Sequence, residues 1–358
     1  MQVVKLIFAI FAVAGAIDKI TGNHFKLGDE FEKGILAAGT LALAMVGMIC
    51  IAPTLAQLLT SVMTPFSKLT GIDPSVLGSF IANDMGGASV AQELAASETL
   101  GAFNGLVVAS MMGVTLCFTI PVALRMIDKQ HHKAVLKGIL CGIATLPLGC
   151  IISGLMLHIS LGTLLLNLLP VLLVALITCL GLLCKPNVTC RIFEIIGIIV
   201  ASLITIGLAA GVFTHITGIQ LIPHMLPIMD GFVITSDIAI MLSGIFPLIA
   251  LISRICRRPF AALGSRIGIN DCAVLGLISS LANSIPTFSL IEKMNERGRI
   301  LNMAFAVSAA FVFGDHLAFT MSFGEAYVPA MVVGKLISGL AAVVVACFIS
   351  KTNKEVEQ

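Results

Sequence analysis

The chain has 358 residues, 58% of them apolar and only 11% charged, with a formal net charge of +2. Ordinary soluble domains carry roughly 25% charged residues, and a soluble fold could not hide this much apolar surface. There is no sustained basic tract or aromatic ladder on which a nucleic acid could lie, and no phosphate-cradling glycine loop with its lysine. The composition describes an all-α polytopic membrane protein, a single membrane domain over 1–358 whose surroundings are a lipid bilayer, with no cofactor and no nucleic-acid partner.

Reading along the chain, Val3 to Ile17 is apolar, lacks a strongly basic leader and has no small-residue cleavage site before Asp18, so it is expected to stay as a first helix. Further full spans are predicted at 34–58, 102–124, 134–157, 161–183, 192–214, 233–253, 300–321 and 327–350, about nine transmembrane helices in all. Two segments differ. In 71–98, GIDPSVLGSFIANDMGGASVAQELAASE, and in 268–292, GINDCAVLGLISSLANSIPTFSLIE, short apolar arms flank a break rich in Asn, Gly, Ser or Pro. A helix from Ser75 to Asn83 is about 14 Å long, enough to reach the bilayer midplane but not to cross it. Both segments are predicted to be re-entrant hairpins, and irregular backbone at that depth is tolerable only when buried in protein or lining a wet cavity.

Basic residues give an independent reading. With both hairpins returning to their side of entry, every Lys and Arg except Lys5, Lys68 and Lys335 falls on one side or its rim. The positive-inside rule makes that side cytoplasmic, with the N-terminus outside and the C-terminus inside.

The surroundings of the hairpins recur. Leu77-Gly78 matches Leu275-Gly276, Asn104 matches Asn302 and Ser110 matches Ser308, each 198 positions apart, while Gly71-Ile72 resembles Gly268-Ile269. The expected organisation is a first repeat unit over 34–126 including hairpin 71–98, intervening helices over 134–214, a second unit over 233–321 including hairpin 268–292, and a final helix over 327–350. Five crossings between the starts of the two units reverse the orientation of the second. That is the inverted repeat of many secondary transporters.

Candidate site residues cluster at the breaks. Asn83 and Asp84 precede Gly86 and Gly87, placing an amide and a carboxylate where the backbone can turn or approach a ligand closely. An intramembrane Asp is expensive and usually faces a cavity, cation or proton path, although Asp84 can equally cap the second half-helix. Asn283 and Ser284, followed by Pro286, supply amide and hydroxyl to the facing tip, with local capping as the alternative. Gln92, Glu93, Asp315 and His316 are candidate pathway or coupling groups, against rim exposure for Glu93 and a polar clamp between helices for the Asp315-His316 pair. Lys335 is read as snorkelling or as binding a carboxylate on another helix. The ten cysteines lie mostly in apolar runs and read as small buried hydrophobes. No recognised metal-ligand spacing and no catalytic constellation occurs.

The whole chain, from Met1 to Lys354, resembles the ethanolamine utilisation transporter family, the EutH-type membrane proteins of bacteria. The resemblance is most recognisable in SFIANDMGGASVAQEL at Ser79–Leu94 and in SLANSIPTFSLIEKMNERGRILNMAFAVSAAFVFGDHLAF at Ser280–Phe319. It implies passage of ethanolamine across the bacterial cytoplasmic membrane, as facilitated uptake by alternating access. With that substrate, Asp84 is expected to meet the ammonium while Asn283 and Ser284 hydrogen-bond the hydroxyl. A homodimer is compatible by architectural analogy. The other readings are a sodium- or proton-coupled transporter of another small polar metabolite, and a membrane sensor or interaction protein without net transport.

The charge distribution generates a topology prediction. Accessibility labelling of Lys129→Cys should report the inside and of Lys68→Cys the outside; labelling of both from one side would require a hairpin to cross or a span boundary to move.

Overall fold

A computed structural model describes residues 2–81 and 86–355, with the side chains of 257, 258 and 351–355 outside that description. Every regular element among the described residues is helical. The elements are α1 (Gln2–Ile20), α2 (Leu27–Thr70), α3 (Gly87–Leu94), α4 (Glu98–Met126), α5 (His132–Met156), α6 (Leu161–Cys184), α7 (Pro186–Thr217), α8 (Ile228–Arg266), α9 (Asp271–Ala282), α10 (Ser284–Leu290), α11 (Glu296–Ala309), α12 (Asp315–Phe323) and α13 (Val328–Glu355). Among them, seven stretches are long and apolar enough to cross a membrane: α2, α4, α6, α7, the runs Lys129–Met156 and Glu325–Ser350, and Ile228–Cys256 within α8. An eighth arises if Pro259–Arg266 and Asp271–Ala282, bent by 117°, count as one span. The expected first helix is present as α1 but is not one of these seven.

Several helices outrun their predicted bounds. With its 44 residues, α2 is about 66 Å long, and α8 has 39 residues. Pro53 and Pro65 lie inside α2, which also contains a π-helical turn at Ala42–Val46. Two further π-helical stretches, Phe103–Gly113 and Thr115–Thr119, run through the buried middle of α4.

The segments around the two breaks share a local design. Gly71 and Gly268 both adopt left-handed backbone, φ 73° and 76°, a conformation that a side chain would strain. Two residues on, Asp73 and Asn270 cap the first arm by accepting from Ser75 N (2.9 Å) and Ala273 N (3.1 Å). The same two side chains close the base of each hairpin. Asp73 Oδ2 accepts from Ala96 N at 3.0 Å, and Asn270 Nδ2 donates to the Lys293 carbonyl at 2.8 Å. Within the hairpins, Gly78 lies against Ala91 and Thr287 Oγ1 donates to Gly276 O at 2.8 Å, so each second arm folds back along its first. Asn104 and Asn302 repeat the pattern from outside, their Nδ2 atoms donating to Ser75 Oγ at 2.7 Å and Ala273 O at 2.9 Å.

Two expectations change. The first arm of hairpin 71–98 is a 3-10 turn over Pro74–Ser79 rather than a helix from Ser75 to Asn83, because Asp73 and Pro74 start it tightly and Gly78 must pass close to Ala91. The span expected at 300–321 is interrupted: α11 stops at Ala309 and α12 starts at Asp315. Between them Phe311 is left-handed, φ 62°, and the freed donors Phe311 N and Phe313 N bond to Ser280 O and Leu281 O at 2.8 Å each. Those carbonyls belong to the last turn of α9, where helix carbonyls lack intrahelical partners.

Lys335 neither reaches the surface nor snorkels. It is 1% exposed, and Nζ donates to Ser110 O of α4 at 2.7 Å. One turn on, Ser338 Oγ donates to Ser308 Oγ at 2.7 Å, so α13 bonds at both members of a serine pair 198 positions apart. Glu325 pairs with Lys5 of α1. All ten cysteines are free and, contrary to a uniformly buried reading, Cys184 is exposed at the end of α6.

The interrupted span yields a test at Gly314. A Cβ there would overlap the Ala282 carbonyl oxygen, so Gly314→Ala should lower thermal stability in detergent by about 1–3 kcal/mol, whereas Gly39→Ala, inside α2 with open space, should leave stability unchanged or raise it by up to about 1 kcal/mol. Equal stability of the two variants would contradict the close passage.

Candidate functional site

A cavity of about 450 Å³ opens where the tip of the α9–α10 hairpin meets the break before α12. Its polar groups include the Asn283 amide and the Asp315 carboxylate, and its walls include the rings of Phe118, Phe246 and Phe311. Lys33 also lines it, with Nζ held by Glu30 Oε1 at 2.6 Å.

Local structure positions each group. Asp315 is the first residue of α12, preceded by Gly314, so its side chain stands at a helix N-terminus. It is half-buried. Asn283 sits between α9 and α10 in extended conformation, φ −158° and ψ 135°, and its Oδ1 accepts from Ile285 N at 2.8 Å. The local capping role is therefore filled by the oxygen, while the Nδ2 side of the same amide can donate to a ligand. Pro286 falls in the first turn of α10, where its missing N–H costs no helix bond. The break is thus made at Asn283 rather than at the proline.

The other sequence candidates are distributed differently. His316 does not share the cavity with Asp315; it is buried with its ring 5.1 Å from that of Phe311. Ser284 is buried beside the tip, and its Oγ has no partner among the described residues. Gln92 and Glu93 lie on α3, away from the cavity lining. Gln92 Oε1 is buried without a partner among the described residues, and Glu93 is exposed. Asn83 and Asp84 lie outside the described residues. Gly86 and Gly87 are buried; Gly86 has ordinary helical backbone, φ −56°, and serves close approach to Met48 rather than a left-handed turn.

The edges of the first hairpin nevertheless lie next to the cavity walls. Phe80 O accepts from Cys117 Sγ at 3.7 Å, and Gly86 lies against Met45 and Met48. Ala44 and Phe118, the chain neighbours of Met45 and Cys117, line the cavity. Met45 and Cys117 fall on the π-helical stretches of α2 and α4, a distortion frequently found at functional sites. Sequence reasoning missed the aromatic walls and the break that presents Asp315. The Gly-Asp pair in FGDH was the available signal, since a Gly before an acidic residue marks a helix start, but the apolar run on both sides concealed it.

A family model described as "Ethanolamine utilisation protein, EutH" matches residues 1–349. A protein named "Probable ethanolamine permease EutH" from Listeria monocytogenes serotype 1/2a (strain 10403S) is 44% identical over 362 residues, covering 100% of this chain and 97% of the relative. Similar coverage holds for "Uncharacterized protein YxeR" of Bacillus subtilis (strain 168), at 38% identity over 99% of this chain and 96% of the relative. A "Probable ethanolamine permease EutH" of Escherichia coli (strain K12) is 35% identical over 97% and 95%. No solved structure matches the chain.

Proposed function

This chain belongs to the EutH family of ethanolamine utilisation proteins, and from that premise we propose that it is a permease carrying ethanolamine across the bacterial cytoplasmic membrane by alternating access. The observation that supports a site for this substrate is the meeting of Asp315 and Asn283, from two interrupted helices, in one cavity walled by phenylalanines. Ethanolamine carries an ammonium and, two carbons away, a hydroxyl. The carboxylate compensates the ammonium, the amide hydrogen-bonds the hydroxyl, and an aromatic face attracts the cation as it sheds water. The carrier makes and breaks no covalent bond in this cycle.

In this reading the segments 71–98 and 268–292 are re-entrant hairpins entering from opposite faces, members of an inverted repeat. Support comes from the basic-residue distribution, the closed hairpin bases and the paired glycine and asparagine contacts. Asn83 and Asp84 join residues whose contacts adjoin the cavity walls, and they are assigned to the same binding region from the opposite side. The N-terminus is outside and the C-terminus inside. Alternation then exposes one binding region to each face in turn.

Reconstitution in vesicles tests the reading with labelled ethanolamine. Saturable flux is expected, and a purified, membrane-inserted chain giving none would overturn transport. Asp315→Asn and Asp84→Asn should each weaken ethanolamine affinity by about 10- to 150-fold, the worth of a hydrogen bond to a charged group, with Asp→Glu at the same positions losing less. A carboxylate whose Asn variant keeps normal affinity and flux is not an ammonium contact.

A further inference from the structure

A second cavity, about 1170 Å³, lies away from Asp315 at the ends of four helices, between the α4–α5 and α6–α7 connections. Five cationic side chains line it, Arg125, Lys129, Lys133, Lys137 and Arg191, against one carboxylate, Glu194. Glu194 is engaged by Arg125 Nη2 at 2.9 Å, a bond that ties α4 to α7. Such a field repels an ammonium substrate, so the cavity is no vestibule for the transported cation.

Two helix beginnings add to the positive field. Both α5 and α7 lack an acidic residue in the first turn and lack a side-chain cap, although helix N-termini favour negative charge. Residues of both first turns, His132 and Lys133 on α5 and Pro186 and Asn187 on α7, line this cavity. Mutually repelling cations and two helix starts facing one space, that of α5 reached through a 3-10 turn capped by Asp128, are stabilised by an anion placed among them.

The remaining lining identifies the source of that anion. Leu124, Leu136, Leu140, Leu182 and Leu183 give the cavity an apolar side. Leu183 is also exposed, and a face of exposed leucines, Leu173, Leu176 and Leu180, leads to it along α6. A free phosphate or nucleotide has no use for such a track, whereas an acyl chain does. We propose that this cavity binds an anionic phospholipid, with the phosphodiester among Lys129, Lys133, Lys137 and Arg191 and an acyl chain along the leucine face of α6. Basic pockets between membrane helices suit such headgroups. The site requires only that the chain be embedded in a bilayer, so its test is independent of the transported substrate.

The full chain, purified in a neutral detergent, is titrated with phosphatidylglycerol, phosphatidylcholine or inorganic phosphate, following the thermal midpoint and lipid retention by native mass spectrometry. Phosphatidylglycerol should raise the midpoint and remain bound, while phosphatidylcholine and phosphate do neither. At about fivefold per basic residue near a membrane surface, the combined variant Lys129→Gln, Lys133→Gln, Arg191→Gln should bind phosphatidylglycerol roughly 100-fold more weakly. The charge-retaining set Lys129→Arg, Lys133→Arg, Arg191→Lys should keep most of the affinity, and added salt should release the lipid from the unmodified chain. Equal stabilisation by phosphatidylcholine, unchanged affinity in the neutral variant or salt-insensitive retention overturns the proposal; the same midpoint shift with phosphate alone overturns its lipid part. If the neutral variant does not fold, the lipid, phosphate and salt comparisons on the unmodified chain decide.

Discussion

Backbone hydrogen bonding in an apolar interior governs this structure. A buried N–H without an acceptor costs free energy comparable to a lost hydrogen bond, and in hydrocarbon no water substitutes. The break between α11 and α12 exists because Ser280 and Leu281 offer carbonyls to Phe311 and Phe313. The offer is itself a consequence of α9 ending there, since a continuous helix would have used those oxygens internally. Two interruptions that would each be costly alone satisfy one another. From this exchange follow the left-handed Phe311, the need for a bare backbone at Gly314, and the placement of a carboxylate on a fresh helix start beside a hairpin tip.

The same economy governs the side chains. Asp73 is buried and uses both carboxylate oxygens on backbone and hydroxyl donors, while its own N–H is taken by Asn167 Oδ1 at 2.7 Å. Asn270 does comparable work at the other hairpin with a neutral amide, helped by Asn295, whose Nδ2 donates to Gly268 O at 2.8 Å. The charged version lies in the more buried setting. Hydrogen bonds to a charged group are worth about 1.5–3 kcal/mol each, so several converging donors can offset the desolvation of one carboxylate. Lys335 meets the same demand with the Ser110 carbonyl among its partners.

Much of the helical framework was legible in the sequence because apolar length and Gly, Asn and Pro punctuation are local signals. The left-handed turns at Gly71 and Gly268, the closed hairpin bases and the reach of Asn104 and Asn302 occur at or beside positions paired by the 198-residue offset. Less visible was anything decided by a distant partner. The run from Asn302 to Phe319 reads as one span until Ser280 and Leu281 are known to be waiting. Polarity alone joined Asp315 to His316, yet the start of α12 sends one to a cavity and the other against Phe311. The extents of α2 and α8 were equally hidden, since amphipathic ends extend a helix beyond its apolar centre without marking where the membrane stops.

The two bonds made by α13 have a mechanical meaning. Lys335 and Ser338 are separated by three residues of one helix, a rise of about 4.5 Å, and they grip Ser110 and Ser308. A helix is stiff against stretching, so these attachment points form a caliper of set opening across two remote parts of the chain. Substitution at the jaws changes the strength of the grip, but insertion of one residue between them turns one jaw by about 100° and leaves it without its partner. Tolerance to changes in length should therefore be far lower between 335 and 338 than in the connections outside the helix, irrespective of how conservative the inserted side chain is.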